Sequence, residues 1–181
     1  YAPKNFRLII YICVYNPKNF SCMINRELYM EQITPFIDKP FVKVITGIRR
    51  CGKSVVLRLI REELLRRGVS EDYIIYMNFE SFEWIDMKEA KALYAHIREA
   101  TKAPGKYYIL LDEIQEVTDW EKAVNAFLVD LDVDIYVTGS NSRLLSSEFS
   151  TYLAGRYVAF HIMTLSFREY LLFHDLPLTI S

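Results

Sequence analysis

The sequence predicts an α/β domain in which one parallel β-sheet carries helices on both faces. Three observations predict it. Short apolar runs alternate with segments of helical period along most of the 181 residues. The run Val44-Ile45-Thr46-Gly47-Ile48-Arg49-Arg50-Cys51-Gly52-Lys53-Ser54 fits the phosphate-binding pattern G-x-x-x-x-G-K-[ST] without a mismatch. Tyr107 to Leu111 is apolar on both faces, as a strand inside a parallel sheet requires.

Taken in order, the chain opens at Tyr1 rather than Met, so it reads as a fragment, a processed form or a shifted start. Phe6 to Tyr15 is apolar but shorter than the roughly 20 residues that span a bilayer. No small-x-small cleavage site follows it, and Asn16-Pro17-Lys18-Asn19 breaks it with turn residues. We read residues 1–22 as an N-terminal extension outside the domain, with an added edge strand as the alternative. The domain proper is 23–181.

Arg26 to Ile33 has apolar residues at helical spacing and meets no breaker before Pro35. Phe41 to Thr46 is rich in β-branched residues and reads as the first strand. A helix opens at Lys53 and stops at Arg66-Arg67-Gly68, with basic residues in its last turn and a terminal glycine. Tyr73 to Phe79 is the second strand, Asp86 to Thr101 a helix with Ala90, Leu93, Tyr94 and Ile97 on one face, and Tyr107 to Leu111 the third strand. Thr118-Asp119 precede a helix over Trp120 to Leu131. Asp134 to Thr138 is the fourth strand, Ser142 to Leu153 helical, and Arg156 to Met163 the fifth strand. Ser166 to Phe173 is a short helix with Ser166 and Glu169 at capping-box spacing. No repeat or low-complexity tract interrupts the series.

Composition limits the function classes. The chain is 51% hydrophobic and 25% charged, so it is globular rather than disordered. Its net charge of −1 offers no global attraction to nucleic acid, although a local basic patch remains open. Three cysteines without a C-x-x-C and three scattered histidines point away from a disulfide framework or a zinc site, and toward a reducing cytoplasm.

The chemistry gathers in four places. In the loop over Gly47, Ile48, Arg49, Arg50, Cys51, Gly52, Lys53, Ser54 and Val55, backbone N–H groups and a helix N-terminus would face an anion. Gly47 and Gly52 permit the close approach. Lys53 would reach the β- and γ-phosphates of ATP, and the Ser54 hydroxyl would ligate Mg²⁺. Arg49 and Arg50 either pair with acids such as Glu80 or Glu83, or add positive charge near the nucleotide. Cys51 is either a small filler or an oxidisable thiol. Leu110-Leu111-Asp112-Glu113 ends the third strand: Asp112 would hold Mg²⁺ through its water shell, and Glu113 would polarise the attacking water. Ser140 and Asn141 close the fourth strand, where they either touch the γ-phosphate or the attacking water, or simply make the turn. Arg156 opens the fifth strand, either as a finger for a neighbouring subunit's site or as a strand-start ion pair.

The segments Gly47–Ser54, Leu111-Asp112-Glu113-Ile114-Gln115, Thr138-Gly139-Ser140-Asn141-Ser142, Leu153-Ala154-Gly155-Arg156-Tyr157 and Leu165-Ser166-Phe167-Arg168-Glu169-Tyr170 occur in that order. Over about residues 23–175 the chain resembles the AAA domain of the predicted archaeal and bacterial ATPases of the AAA+ superfamily. The resemblance implies a P-loop NTPase αβα sandwich with a five-stranded parallel sheet of order 5-1-4-3-2, Ser140 or Asn141 as the first sensor, and Mg-ATP hydrolysis. It also implies homo-oligomers, and a longer C-terminal part, often associated with DNA-related work, through which DNA or a protein partner would be engaged. This chain stops after Ser181, before a helical lid or a second sensor arginine. A slow, regulatory ATP switch is the alternative reading. A small-molecule phosphotransferase is disfavoured by Glu113 and by the strand between the two motifs. GTP is disfavoured because no N-K-x-D sequence appears.

Overall fold

A computed structural model of the chain describes residues 26–140, 144, 152–174 and 176. The proposals for residues 1–22, for Asn141 and for most of the helix over Ser142 to Leu153 lie outside the described residues. Among the described residues, the α-helices and strands in chain order are α1 (Glu27–Ile33), β1 (Val42–Gly47), α2 (Lys53–Arg66), β2 (Ile74–Asn78), α3 (Ala90–Ala100), β3 (Tyr107–Asp112), α4 (Trp120–Asp130), β4 (Val133–Gly139), β5 (Tyr157–Ile162) and α5 (Phe167–Phe173).

The five strands form one parallel sheet in the order β2-β3-β4-β1-β5, the expected order read from its other edge. β4 therefore lies between β1 and β3, with Thr46 opposite Gly139 and Leu111 opposite Val137. This register brings the carboxyl ends of the phosphate-loop strand and the Asp112-Glu113 strand to one rim. Ligands of open α/β sheets bind at that rim.

Side-chain alternation along the strands gives the sheet two cores. Val42, Val44, Ile109, Leu111, Ile135 and Val137 face one way, against Leu93 and Ile97 of α3 and Val124 and Phe127 of α4. Ile45, Leu110, Tyr136 and Phe160 face the other way, against Ile33 of α1 and Val56, Leu57, Ile60 and Leu64 of α2. Each fully buried aliphatic or aromatic side chain contributes about 1.5–3 kcal/mol, so these faces fix the layering.

Local chemistry sets the helix ends. Gly68, at φ 88°, closes α2: its N–H donates to Leu65 O (2.9 Å), and Val69 N–H donates to Leu64 O (3.1 Å). This is a Schellman closure, with a left-handed residue that favours glycine. Ser166 and Glu169 form the expected capping box on α5. One expectation is corrected. α3 begins at Ala90 rather than Asp86, because Glu89 is extended and paired with Thr118. Residues 82–87 form 3₁₀ turns instead. Asp119 precedes α4 without capping it; it has φ 56°, and its carboxylate accepts from Lys122 (2.8 Å).

At the rim opposite the phosphate loop sits a buried ion pair that the sequence reading did not single out. Lys43 Nζ pairs with Asp134 Oδ1, and their side chains are 0% and 1% exposed. Lys43 also donates to Lys39 O (2.8 Å). Asp134 Oδ2 accepts from Asp38 N–H (2.8 Å) and from the Tyr136 hydroxyl (2.8 Å). Burial pushes the Lys43 ammonium below its ordinary pKa, while Asp134 opposes that shift.

Candidate functional site

The phosphate loop leaves β1 at Gly47 and enters α2 at Lys53, as its spacing predicts. Gly47 (φ 152°) and Gly52 (φ 100°) both lie in the region that favours glycine. At Gly47 space forbids a side chain as well: a Cβ there would run into Ile162 O and stand 2.6 Å from Cys51 Sγ. Cys51 is 1% exposed, and burial pushes its thiol pKa up, which matches the filler role rather than a reactive thiol. Ile48, Arg49 and Arg50 are exposed on the loop, whereas Ser54 and Val55 are half-buried at the helix start. Arg49 pairs with Glu80 at 3.6 Å, one of the acids considered for it. Arg50 has φ 67°.

Lys53 is 4% exposed. Its ammonium lies 3.3 Å from Glu113 Oε1 and 3.5 Å from Ile48 O, so it spans the loop and meets the acid at the end of β3. The two sequence motifs, separated by a complete strand and helix, are in direct contact.

Asp112 is fully buried, and both of its oxygens accept hydrogen bonds. Oδ1 accepts from the Thr138 hydroxyl (2.5 Å) and Oδ2 from the Tyr76 hydroxyl (3.1 Å). Thr138 Oγ1 in turn accepts from Glu113 N–H (3.0 Å). Glu113 sits at φ 55°, ψ 48°, a left-handed conformation that costs a non-glycine residue about 1–2 kcal/mol. The Thr138 bond helps to hold that turn. Burial first, and then the adjacent Asp112 carboxylate, push the Tyr76 phenol well above its ordinary pKa, so it stays protonated and donates. The second oxygen of Glu113 accepts from Gln115 Nε2 (2.5 Å). Among the described residues Gln115 Oε1 is buried without a hydrogen-bond partner, and it occupies the space a Cβ on Gly139 would need.

The other predicted residues divide. Ser140 is half-buried at the end of β4, beside this rim, and its carbonyl accepts from Leu144 N–H (3.0 Å). Arg156 is exposed and donates to Asn125 Oδ1 (3.1 Å). It precedes the six residues of β5, so it stands at the amino rim, about 20 Å along the strand from the phosphate loop. It is therefore remote from its own chain's site.

Thr138, Tyr76 and Gln115 were missed. For Thr138 and Tyr76 a signal existed, a hydroxyl late in an otherwise apolar strand. Gln115 had none beyond lying two residues after Glu113.

The residues fit a nucleotide and one divalent cation. A Mg²⁺ of this type uses one carboxylate or hydroxyl together with phosphate oxygens rather than an all-protein cage. Ser54 and Asp112 are donors of that kind, and Asp112 is already oriented by two hydroxyls.

A family model described as an AAA domain matches residues 39–171. An uncharacterized protein of Haemophilus influenzae is 48% identical over 154 residues, which cover 83% of this chain and 38% of that protein. The uncharacterized protein MJ1544 of Methanocaldococcus jannaschii is 34% identical over 153 residues, covering 84% and 32%. The chain thus matches about a third of the length of these relatives. Among solved structures, Hsp104 in a closed state with ATPγS and casein superposes with a TM-score of 0.60 at 12% identity, over 85% of this chain and 29% of that one. A DNA replication initiation factor gives 0.54 at 20% identity, over 92% and 58%. These likenesses concern the fold. Because the family model matches residues 39–171, most of the chain, the chain belongs to the AAA domain family.

Proposed function

We propose that this domain binds ATP with Mg²⁺ and hydrolyses it, as a switch or motor for a partner engaged by the longer protein. The observation that carries the reading is the contact of Lys53 with Glu113 at 3.3 Å, at the rim where the loop and the β3 acids converge. Backbone N–H groups of residues 47–54 and the Lys53 ammonium hold the β- and γ-phosphates. Ser54 and Asp112 hold the cation, with Thr138 and Tyr76 fixing the carboxylate. Bound Mg²⁺ would neutralise charge on the β- and γ-phosphate oxygens. Glu113 accepts a proton from the water that attacks the γ-phosphorus in line, and Ser140 or Asn141 contacts that water or the γ-phosphate. The incoming phosphate competes with Glu113 for Lys53, and this frees the carboxylate for the water.

Arg156 can act only on a neighbouring subunit of a homo-oligomer, because it stands at the far rim of its own chain. The partner is DNA or protein, and the compartment is the cytoplasm. No helix among the described residues is long and apolar enough to cross a membrane.

A slow, regulatory ATP switch is the second reading. The observation favouring it is that both Glu113 oxygens are engaged, by Lys53 and by Gln115. Glu113→Gln separates the readings. Under the first, ATP affinity is kept or tightened, since a competitor for Lys53 is weakened, and turnover falls about 10²-fold or more, the range for a general base. Turnover near zero in the unaltered protein supports the second. Unchanged turnover in the variant removes Glu113 from the chemistry.

A further inference from the structure

Arg26 is 2% exposed, yet it binds three separate parts of the chain. Its Nη1 donates to Cys51 O in the phosphate loop at 2.7 Å. Its Nε donates to Glu169 Oε1 at 3.0 Å, and Nη2 lies 3.5 Å from Glu169 Oε2. Nη2 also donates to Met163 O (2.9 Å) and Thr164 O (3.4 Å), just after β5. The guanidinium lies over the Tyr29 ring at 4.5 Å, and the Tyr29 hydroxyl accepts from Met163 N–H (3.0 Å). A Cβ on Gly52 would approach Arg26 Nη1 to 3.2 Å, so the loop is seated closely on the guanidinium.

A desolvated guanidinium needs a reason to be buried, and a single carboxylate satisfies only part of it. Here the shortest bond goes to a loop carbonyl. In a trans peptide the C=O of one residue and the N–H of the next point in opposite directions. Arg26 draws the Cys51 carbonyl to the back of the loop, and the Gly52 N–H is thereby turned away from Arg26. We propose that Arg26 is a positioning residue for phosphate binding: it holds the Cys51–Gly52 peptide with its N–H presented to the bound phosphate, and Glu169 holds Arg26. Glu169 is well placed for this, since its own backbone sits in the α5 capping box with Ser166. The proposal rests on the phosphate-loop reading above.

The test uses the full 181-residue chain, with Arg26→Lys and Glu169→Gln. Lysine keeps the charge and loses the fork that reaches three segments at once. The probes are Mg-ATP and inorganic tripolyphosphate by calorimetric titration, and melting without ligand is recorded for each variant. We expect Arg26→Lys to weaken both probes by about tenfold or more, the weight of one charge-assisted hydrogen bond. Glu169→Gln weakens both severalfold although Glu169 does not touch the loop. A residue that only supports the fold would lower the melting temperature and leave the tripolyphosphate Kd of the folded protein unchanged. Wild-type Kd values in folded Arg26→Lys and Glu169→Gln overturn the proposal. Absence of binding in the unaltered chain overturns the phosphate-loop reading instead, and the proposal with it. If Arg26→Lys does not fold, Glu169→Gln decides, because its carboxylate is replaced by a group of the same shape.

Discussion

Asp134→Asn should be among the most damaging single substitutions outside the nucleotide site. It removes the charge facing Lys43 and leaves a 0% exposed ammonium against a neutral amide. Breaking a buried pair from one side costs about 3–5 kcal/mol. A second route to the number agrees. Lys43 can escape by losing its proton, and moving a lysine of ordinary pKa 10.5 to its neutral form at pH 7 costs about 5 kcal/mol at 1.36 kcal/mol per unit. The loss is therefore bounded near 5 kcal/mol, with part retained because the amide oxygen still accepts from Tyr136 or Asp38. For a chain of this size, about 3–5 kcal/mol lowers the melting temperature by roughly 10 °C. Urea denaturation at pH 7 and pH 9 is the assay. The defect should shrink by about 2–3 kcal/mol at pH 9, where a neutral lysine is easier to form. Lys43→Met with Asp134→Leu should recover most of the loss, as buried pairs replaced by apolar residues often do. A defect under about 1 kcal/mol, with no dependence on pH, would refute the claim that this pair is dry.

Gly139→Ala would set a Cβ against Gln115 Oε1 and 2.7 Å from Leu144 Cγ. We expect a loss of about 1–3 kcal/mol from overpacking, read as a lower urea midpoint, and an unchanged midpoint would show that Gln115 and Leu144 move aside freely. Acid should loosen the Arg26 contact. Burial raises the Glu169 pKa, but the Ser166 N–H, Arg26 and the Ser166 hydroxyl outweigh it and hold the carboxyl below its ordinary 4.5. A carboxyl depressed by folding stabilises above pH 4.5, and that stability is lost as pH falls through the lower folded value. The urea midpoint of the unaltered protein should fall more steeply below pH 4.5 than that of Glu169→Gln, and parallel curves would assign the acid sensitivity elsewhere.

The strands and the phosphate loop were legible because their signals are local. An apolar run bounded by turn residues identifies β1, and two glycines at fixed spacing before Lys-Ser identify the loop that follows it. Acids at strand ends are common, and Glu113 was legible because the Asp112-Glu113 pair ends a strand that follows the loop by one further strand and helix. What escaped depends on distance in sequence. Arg26 reads as one more polar residue of a short amphipathic helix until the fold brings Glu169 and Cys51 to it. Tyr76 and Thr138 meet at Asp112 only once the sheet order is set. Lys43 and Asp134 look like ordinary strand-edge charges, yet both are buried against the turn at Asp38 and Lys39. The start of α3 was misplaced because nothing local announces the bridge from Glu89 to Thr118.

The central claim is that the loop from Gly47 to Ser54 holds the phosphates of ATP, and titration calorimetry of Mg-ATP into the unaltered chain and into Lys53→Ala tests it most directly. The unaltered chain should give a saturable one-to-one isotherm. The variant, lacking an ammonium that is 4% exposed at the loop, should bind about tenfold more weakly or worse. Equal dissociation constants, or no binding by the unaltered chain, would contradict the account.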